Sequence, residues 1–284
     1  MMLKDKKVII FDMDGTLIDS VGIWNQVDEA LIQRIRENGK SEIKNVQRKR
    51  DEVLRKNDQA NNPYIEYCTY LKKAYQSTLS VQDIHALRYE IAQDYLYHVV
   101  DYKEGAELFI KSLKELGYQL VIASTTKRTN MDVYRKHNHR IISKANIDDY
   151  FTLVYTREDA KAIKPNPEIY LRVMKDLKVS RKDCLVFEDS LIGVEAAKNA
   201  GIECVVIEDQ YSDAEREQIN QLADYQIKSY LELLVVQIGK LHRRTHFNFA
   251  LVHKVEQFRY KICQSDISAN LFTTFANFIA KNIS

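Results

Sequence analysis

Short apolar runs that end in polar residues, separated by stretches with helical spacing, set the pattern of this chain. Lys7 followed by Val8, Ile9, Ile10 and Phe11 predicts a short buried strand. Runs at 118–123, 151–155, 184–187 and 203–207 predict further strands, and 225–228 a last short one. Between them, 105–116 reads as an amphipathic helix closed by Gly117, and 130–138 as a second. A third runs to Leu177, with Asn166 as its N-cap and Pro167 as its first residue. A fourth spans 190–200 and is stopped by Gly201. Strands alternating with helices predict a parallel sheet covered on both faces, an α/β fold.

The alternation is interrupted between 20 and 100, where the pattern stays helical. Ile23, Val27, Ala30, Leu31 and Ile35 mark one helix, ending at Gly39. A charged stretch from 41 to 62 has a sparse apolar face of Ile43, Val46, Val53 and Leu54. Tyr64, Tyr67, Leu71 and Tyr75 mark another helix, and Ile84, Leu87, Ile91, Tyr95 and Val99 a fourth. The tyrosine stripe reads as packing rather than as the lining of a cleft. The predicted organisation is a core of 1–19 and 101–234, an all-helical insert of 20–100, and a C-terminal helical extension of 235–284. In that extension Phe247, Leu251, Lys254, Val255 and Phe258 trace one helical face, and Leu271, Phe272, Phe275, Phe278 and Ile279 another. Faces so rich in Phe are expected to dock on the protein's own surface or to build a homodimer.

Composition narrows the class. With 284 residues, 45% hydrophobic and 29% charged, the chain is long enough for one sizeable core and an accessory domain. A net charge of +2 gives no reason to expect nucleic acid as a partner, although 235–284 carries seven Lys or Arg against Glu256 and Asp266. The cysteines, Cys68, Cys184, Cys204 and Cys263, are far apart without a CxxC pair and read as reduced thiols. No apolar run approaches a membrane span, and the apolar stretch before Asp12 is too short for a signal peptide. A cytoplasmic protein is expected.

The chemistry lies where the strands end. Asp12 and Asp14, one residue apart, follow the first strand, with Gly15 and Thr16 behind them. Asp and Gly are also ordinary turn residues, so this stretch alone would not decide the matter. Three later segments supply partners: Ser124 and Thr125, then Lys164, then Glu188 and Asp189. Ligands of open α/β sheets sit beyond the carboxyl ends of strands, so these residues make a cation pocket beside an anion pocket. That combination suits a phosphate ester. Asp12 can act as a nucleophile that forms an aspartyl-phosphate, and Asp14 can protonate the leaving oxygen and then deprotonate water. Magnesium (Mg2+) is the expected metal, held by Asp12 and Asp189 with a backbone carbonyl, while Lys164 and Ser124 neutralise the phosphoryl oxygens.

The motifs DMDGT at 12–16, IAST at 122–125, KPNPEIY at 164–170 and FEDSLIGVEAAKNAG at 187–201 occur in the order of the haloacid dehalogenase superfamily. The chain resembles that family, and within it the phosphatase and β-phosphoglucomutase-like branch. The resemblance covers 7–234 and implies a Rossmann-like core, a helical cap inserted after the first motif, magnesium dependence and the roles just given. It also implies that Asp14 joins the metal shell through its backbone carbonyl and that Glu188 supports that shell. Dehalogenases of the superfamily lack the second aspartate, so Asp14 speaks against dehalogenation. Mutases of the branch usually carry a histidine about where Trp24 stands, which favours hydrolysis of a small phosphorylated metabolite. A sugar phosphomutase is the alternative reading, and a binding or scaffold protein on the same fold is a second. Trp24 is as well explained by packing as by substrate contact, and His137 and His139 read as surface residues.

Overall fold

The computed structural model describes residues 2–36, 45–57 and 62–234. Gly39, Ile43 and the extension at 235–284, with its two expected helices and its dimer contact, lie outside the described residues. Met1–Tyr230 forms one compact unit and Leu231–Ser284 a second.

Six strands form one sheet: β1 (Val8–Phe11), β2 (Gln119–Ala123), β3 (Leu153–Tyr155), β4 (Cys184–Glu188), β5 (Glu203–Ile207) and β6 (Tyr225–Ile227). Their order is β3-β2-β1-β4-β5-β6, and each neighbouring pair is parallel. This doubly wound order reverses at β1, and the crevice for a ligand opens at that switch point. β1 and β4 are buried along their whole length, as expected for strands covered on both faces. On one face Val8, Ile10, Val121 and Val186 pack with Ile169, Tyr170, Val194 and Ala197. On the other, Phe11 stacks on Phe187 at 4.9 Å and meets Phe109 edge-on at 6.3 Å.

The helices are α1 (Ile23–Ile35), α2 (Val46–Lys56), α3 (Pro63–Ala74), α4 (Val81–His98), α5 (Ala106–Glu115), α6 (Arg128–Lys136), α7 (His139–Ala145), α8 (Ile147–Tyr150), α9 (Glu168–Leu177), α10 (Leu191–Asn199) and α11 (Arg216–Leu222). The first four lie between β1 and α5, in the stretch read as an all-helical insert. Sequence chemistry starts two of them: Asn62 accepts from the N–H of Tyr64, and Ser80 from the N–H of Asp83. Asp28, fully buried on α1, holds the insert together by accepting from Arg50 Nη1 at 2.8 Å and Arg88 Nε at 2.6 Å. The Arg88 guanidinium lies 5.0 Å from the Trp24 ring centroid and 4.9 Å from that of Tyr64. Trp24 is thus a packing partner of Arg88. Within the tyrosine stripe, Tyr67 is buried while Tyr64 stays exposed.

The two connections to the insert run beside each other. Asp19 N–H donates to the Asp101 carbonyl at 3.0 Å and Lys103 N–H to the Leu17 carbonyl at 2.8 Å, making an antiparallel bridge between Ile18 and Tyr102.

Several expectations need correction. α7, α8 and α11 carry no strong apolar period and were not anticipated. The helix expected at 130–138 begins at Arg128 and ends at Lys136. The α9 N-cap is Pro167, not Asn166; Asn166 still serves the helix start, its side chain accepting from the N–H of Glu168 at 3.0 Å. Glu188 is the last residue of β4 rather than the first beyond it. His137 and His139 are exposed as expected, and His137 stacks on Tyr97 at 5.3 Å. Cys68, Cys184 and Cys204 are buried free thiols. No helix among the described residues is long and apolar enough to cross a membrane.

Candidate active site

β1 and β4 end side by side, with Phe11 level with Phe187, and the N–H of Asp12 donates to the Phe187 carbonyl at 3.0 Å. The register therefore sets Asp12 beside Glu188 and Asp189. Carboxylate oxygens of these three residues lie within 4.8 Å of one another, and all three side chains are buried. Lys164, 4% exposed, reaches in from the loop before α9 and donates to Asp12 Oδ1 at 2.5 Å and Glu188 Oε1 at 2.6 Å. Burial opposes its charge, but the two carboxylates outweigh that and raise its pKa. One ammonium does not balance three carboxylates. Burial, followed by the neighbouring carboxylates, pushes Asp189 well above the ordinary range, and burial raises Glu188 despite Lys164.

Two glycines make room for this cluster. Gly15 turns the chain after Asp14 at a φ of +80°, and a Cβ there would lie 2.3 Å from Asp189 Oδ2. A Cβ at Gly193 on α10 would come within 2.1 Å of the Glu188 carboxyl group. Thr16 orients Asp189 by donating to Oδ1 at 2.7 Å.

Asp14 faces another set of partners. Its Oδ1 accepts from Ser20 Oγ at 2.6 Å and from the Tyr134 hydroxyl at 3.3 Å, and its Oδ2 from Thr126 Oγ1. Burial pushes its pKa up to about 6, with the Asp12 charge adding to that and the Ser20 hydrogen bond opposing it. A carboxyl group so placed can carry a proton near neutral pH. Its side chain stands outside the three-carboxylate cluster, and only its main chain is left for the metal shell that the family resemblance assigns to it.

Ser124 and Thr125 follow β2 and line one pocket with Lys164, Thr156 and Arg157. Ser124 is buried, its N–H on the Tyr155 carbonyl at 3.1 Å and its Oγ accepting from the N–H of Thr126 at 3.2 Å. Asp12, Glu188 and Asp189 thus meet Lys164 at the strand ends, Ser124 and Thr125 share a pocket with Lys164, and Asp14 stands beside them on its own hydroxyl partners.

A sequence profile described as haloacid dehalogenase-like hydrolase matches residues 9–207, which takes in every one of these positions. The chain belongs to that family. Among related proteins, Bacillus subtilis YhcW is 36% identical over 105 residues, 37% of this chain and 44% of its own length. This chain thus spans less than half of that relative. A Thermotoga maritima phosphorylated carbohydrates phosphatase is 28% identical over 198 residues, covering 69% of this chain and 82% of that protein. The solved structure of a candidate β-phosphoglucomutase from Thermotoga maritima superposes with a TM-score of 0.65 at 24% identity, covering 81% of this chain and 98% of that one. That likeness agrees with the doubly wound core and its helical insert.

For this haloacid dehalogenase-like hydrolase, the donor set fits a hard divalent cation: buried carboxylates in excess of cationic partners, with Glu188 Oε2 buried and without a hydrogen-bond partner among the described residues. Sequence reading missed the supporting hydroxyls of Thr16, Ser20, Thr126, Tyr134 and Tyr170. Thr16 closes the DMDGT motif and Thr126 follows the IAST motif, which was a usable signal. Tyr134 sat inside a helical pattern and was indistinguishable from core, while Tyr170 closes the KPNPEIY motif but carried no sign of which carboxylate it would meet.

Proposed function

We propose that this protein is a magnesium-dependent phosphatase of small phosphorylated metabolites, acting through an aspartyl-phosphate on Asp12. The reading is carried by the convergence of Asp12, Lys164, Glu188 and Asp189 at one switch point, with Asp14 held separately by hydroxyls. The phosphatase naming of the Thermotoga relative supports the reaction class, and its phosphorylated carbohydrates point to sugar phosphates as the first substrates to try. Residues 20–100 would serve as the cap over the site, and 1–19 with 101–234 as the catalytic core.

In this mechanism a carboxylate oxygen of Asp12 attacks phosphorus as the bond from phosphorus to the ester oxygen breaks. Asp14 gives its proton to the departing alkoxide. Asp14, now ionised, takes a proton from water as that water attacks the aspartyl-phosphate. The acyl phosphate bond breaks, returning the Asp12 carboxylate and inorganic phosphate. Ser124 and Thr125 supply donors to the phosphoryl oxygens, and Lys164 supplies positive charge. A magnesium ion, held by Asp12, Asp189 and the main-chain carbonyl of Asp14 with Glu188 in support, would neutralise charge on the phosphoryl oxygens. Trp24, packed on Arg88, stands where the mutase branch carries a histidine, which favours water as the acceptor. The scaffold reading is disfavoured because each of the reacting side chains is present.

The test is a panel of phosphorylated metabolites assayed for phosphate release with magnesium and with chelator. Magnesium-dependent release from at least one sugar or polyol phosphate is expected. Release from none, by a folded protein, would overturn the reading, as would transfer to a second hydroxyl of the sugar without net release.

A further inference from the structure

Tyr170 takes no part in the steps above, yet it is fully buried on α9 and its hydroxyl donates to Glu188 Oε1 at 2.5 Å. The same oxygen accepts from Lys164 at 2.6 Å, and the Lys164 ammonium lies 5.2 Å from the centroid of the Tyr170 ring. A phenylalanine would fill the same volume without burying a hydroxyl that needs a partner. From the opposite side the carboxyl group of Glu188 is backed by Gly193, so closely that a Cβ there would collide with it. Glu188 Oε1 is thus doubly engaged, while Oε2 is buried without a hydrogen-bond partner among the described residues.

We propose that Tyr170 is a positioning residue for the cation site: it fixes the Glu188 carboxylate so that Oε2 remains available to a divalent cation or its water. It also shares Oε1 with Lys164. Without the hydroxyl, that oxygen would compete for the ammonium that Asp12 also needs, and Glu188 would be free to turn. Groups that orient metal ligands in this way matter for affinity, and their loss typically weakens metal binding about 10- to 100-fold. The inference rests on the cation reading of this site and adds to it a residue outside the ligand set.

The experiment uses the full chain and measures binding of manganese, as a spectroscopic probe for magnesium, without substrate. Wild-type protein is compared with Tyr170→Phe, Glu188→Gln and the double variant. Tyr170→Phe should weaken manganese binding about tenfold or more while its melting in chelator stays near that of wild type. In the Glu188→Gln background the same change should have little further effect, because the group it orients is gone. Wild-type affinity in a folded Tyr170→Phe protein would overturn the inference and leave the cation site standing. An equal loss in both backgrounds would also overturn it, since Tyr170 would then act through general packing. A wild-type protein that binds neither manganese nor magnesium would remove the cation reading and this inference with it.

Discussion

Tyr134 and Asp14 are 120 positions apart in the chain, and the phenol hydroxyl of the first lies 3.3 Å from Oδ1 of the second. α6 therefore delivers to Asp14 a donor that neither β1 nor the insert supplies. A hydrogen bond to a charged group contributes about 1.5–3 kcal/mol. Removing this one by Tyr134→Phe should lower kcat roughly tenfold with KM little changed, if Asp14 acts as proposed on the leaving oxygen and on water rather than in substrate binding. Steady-state kinetics on the best substrate from the panel would decide; an unchanged kcat would mean Ser20 and Thr126 suffice to orient Asp14.

Asp12→Asn should abolish turnover in a protein that remains folded. The amide preserves the shape beside Lys164 and Glu188 but removes the proposed nucleophile. Phosphate release at the wild-type rate by the purified variant would exclude Asp12 from that role.

The insert has its own point of weakness at Asp28, which pairs with both Arg50 and Arg88 below its surface. Asp28→Ala removes the shared carboxylate from two largely buried guanidinium groups. Breaking a buried ion pair by removing one partner typically destabilises by about 3–5 kcal/mol. A fall of several degrees in the melting temperature is expected, and a melting curve superposing on wild type would show that these charges are well solvated.

Metal removal should act on stability as well as rate. Lys164 offsets only part of the charge of three buried carboxylates, so a divalent cation on the cluster should stabilise the fold: chelator should lower the melting temperature and magnesium should raise it. At a concentration 100 times the dissociation constant the gain is about 2.7 kcal/mol. Melting in EDTA and in rising magnesium tests this, and a midpoint independent of magnesium would count against a cation on the cluster.

If the insert works as a cap, it should change its angle to the core when a phosphate analogue binds, with the turning points near residues 19–21 and 101–103. Crystals grown with and without the analogue would reveal the difference. Identical insert positions over an already sealed site would rule the movement out.

Strand ends were legible from sequence because a buried parallel strand must be a short apolar run, and the polar residue after it is forced to the sheet's edge. By that logic Asp12, Ser124 and Asp189 belong at the ends of β1, β2 and β4, where they lie. Lys164 was legible from its place just ahead of a helix with strong starting residues. The hydroxyls of Ser20 and Tyr134 were not, because a single side chain in a helix or a turn has no period; Tyr170 stood in a motif, but which carboxylate it meets depends on how distant elements pack. α7, α8 and α11 escaped for a related reason: helices of four to seven residues are too short to build a recognisable apolar stripe.

The pairing of Ile18 with Tyr102 brings the two ends of the insert to adjacent positions on one short ribbon. To the core, everything between them is a loop whose ends are already closed, so its length and content enter the free energy of the core only weakly. The sheet and its carboxylates should therefore tolerate exchange of this module for another helical segment with neighbouring termini. Substrate preference could then diverge by splicing at one ribbon, while the residues proposed to handle phosphate stay as they are.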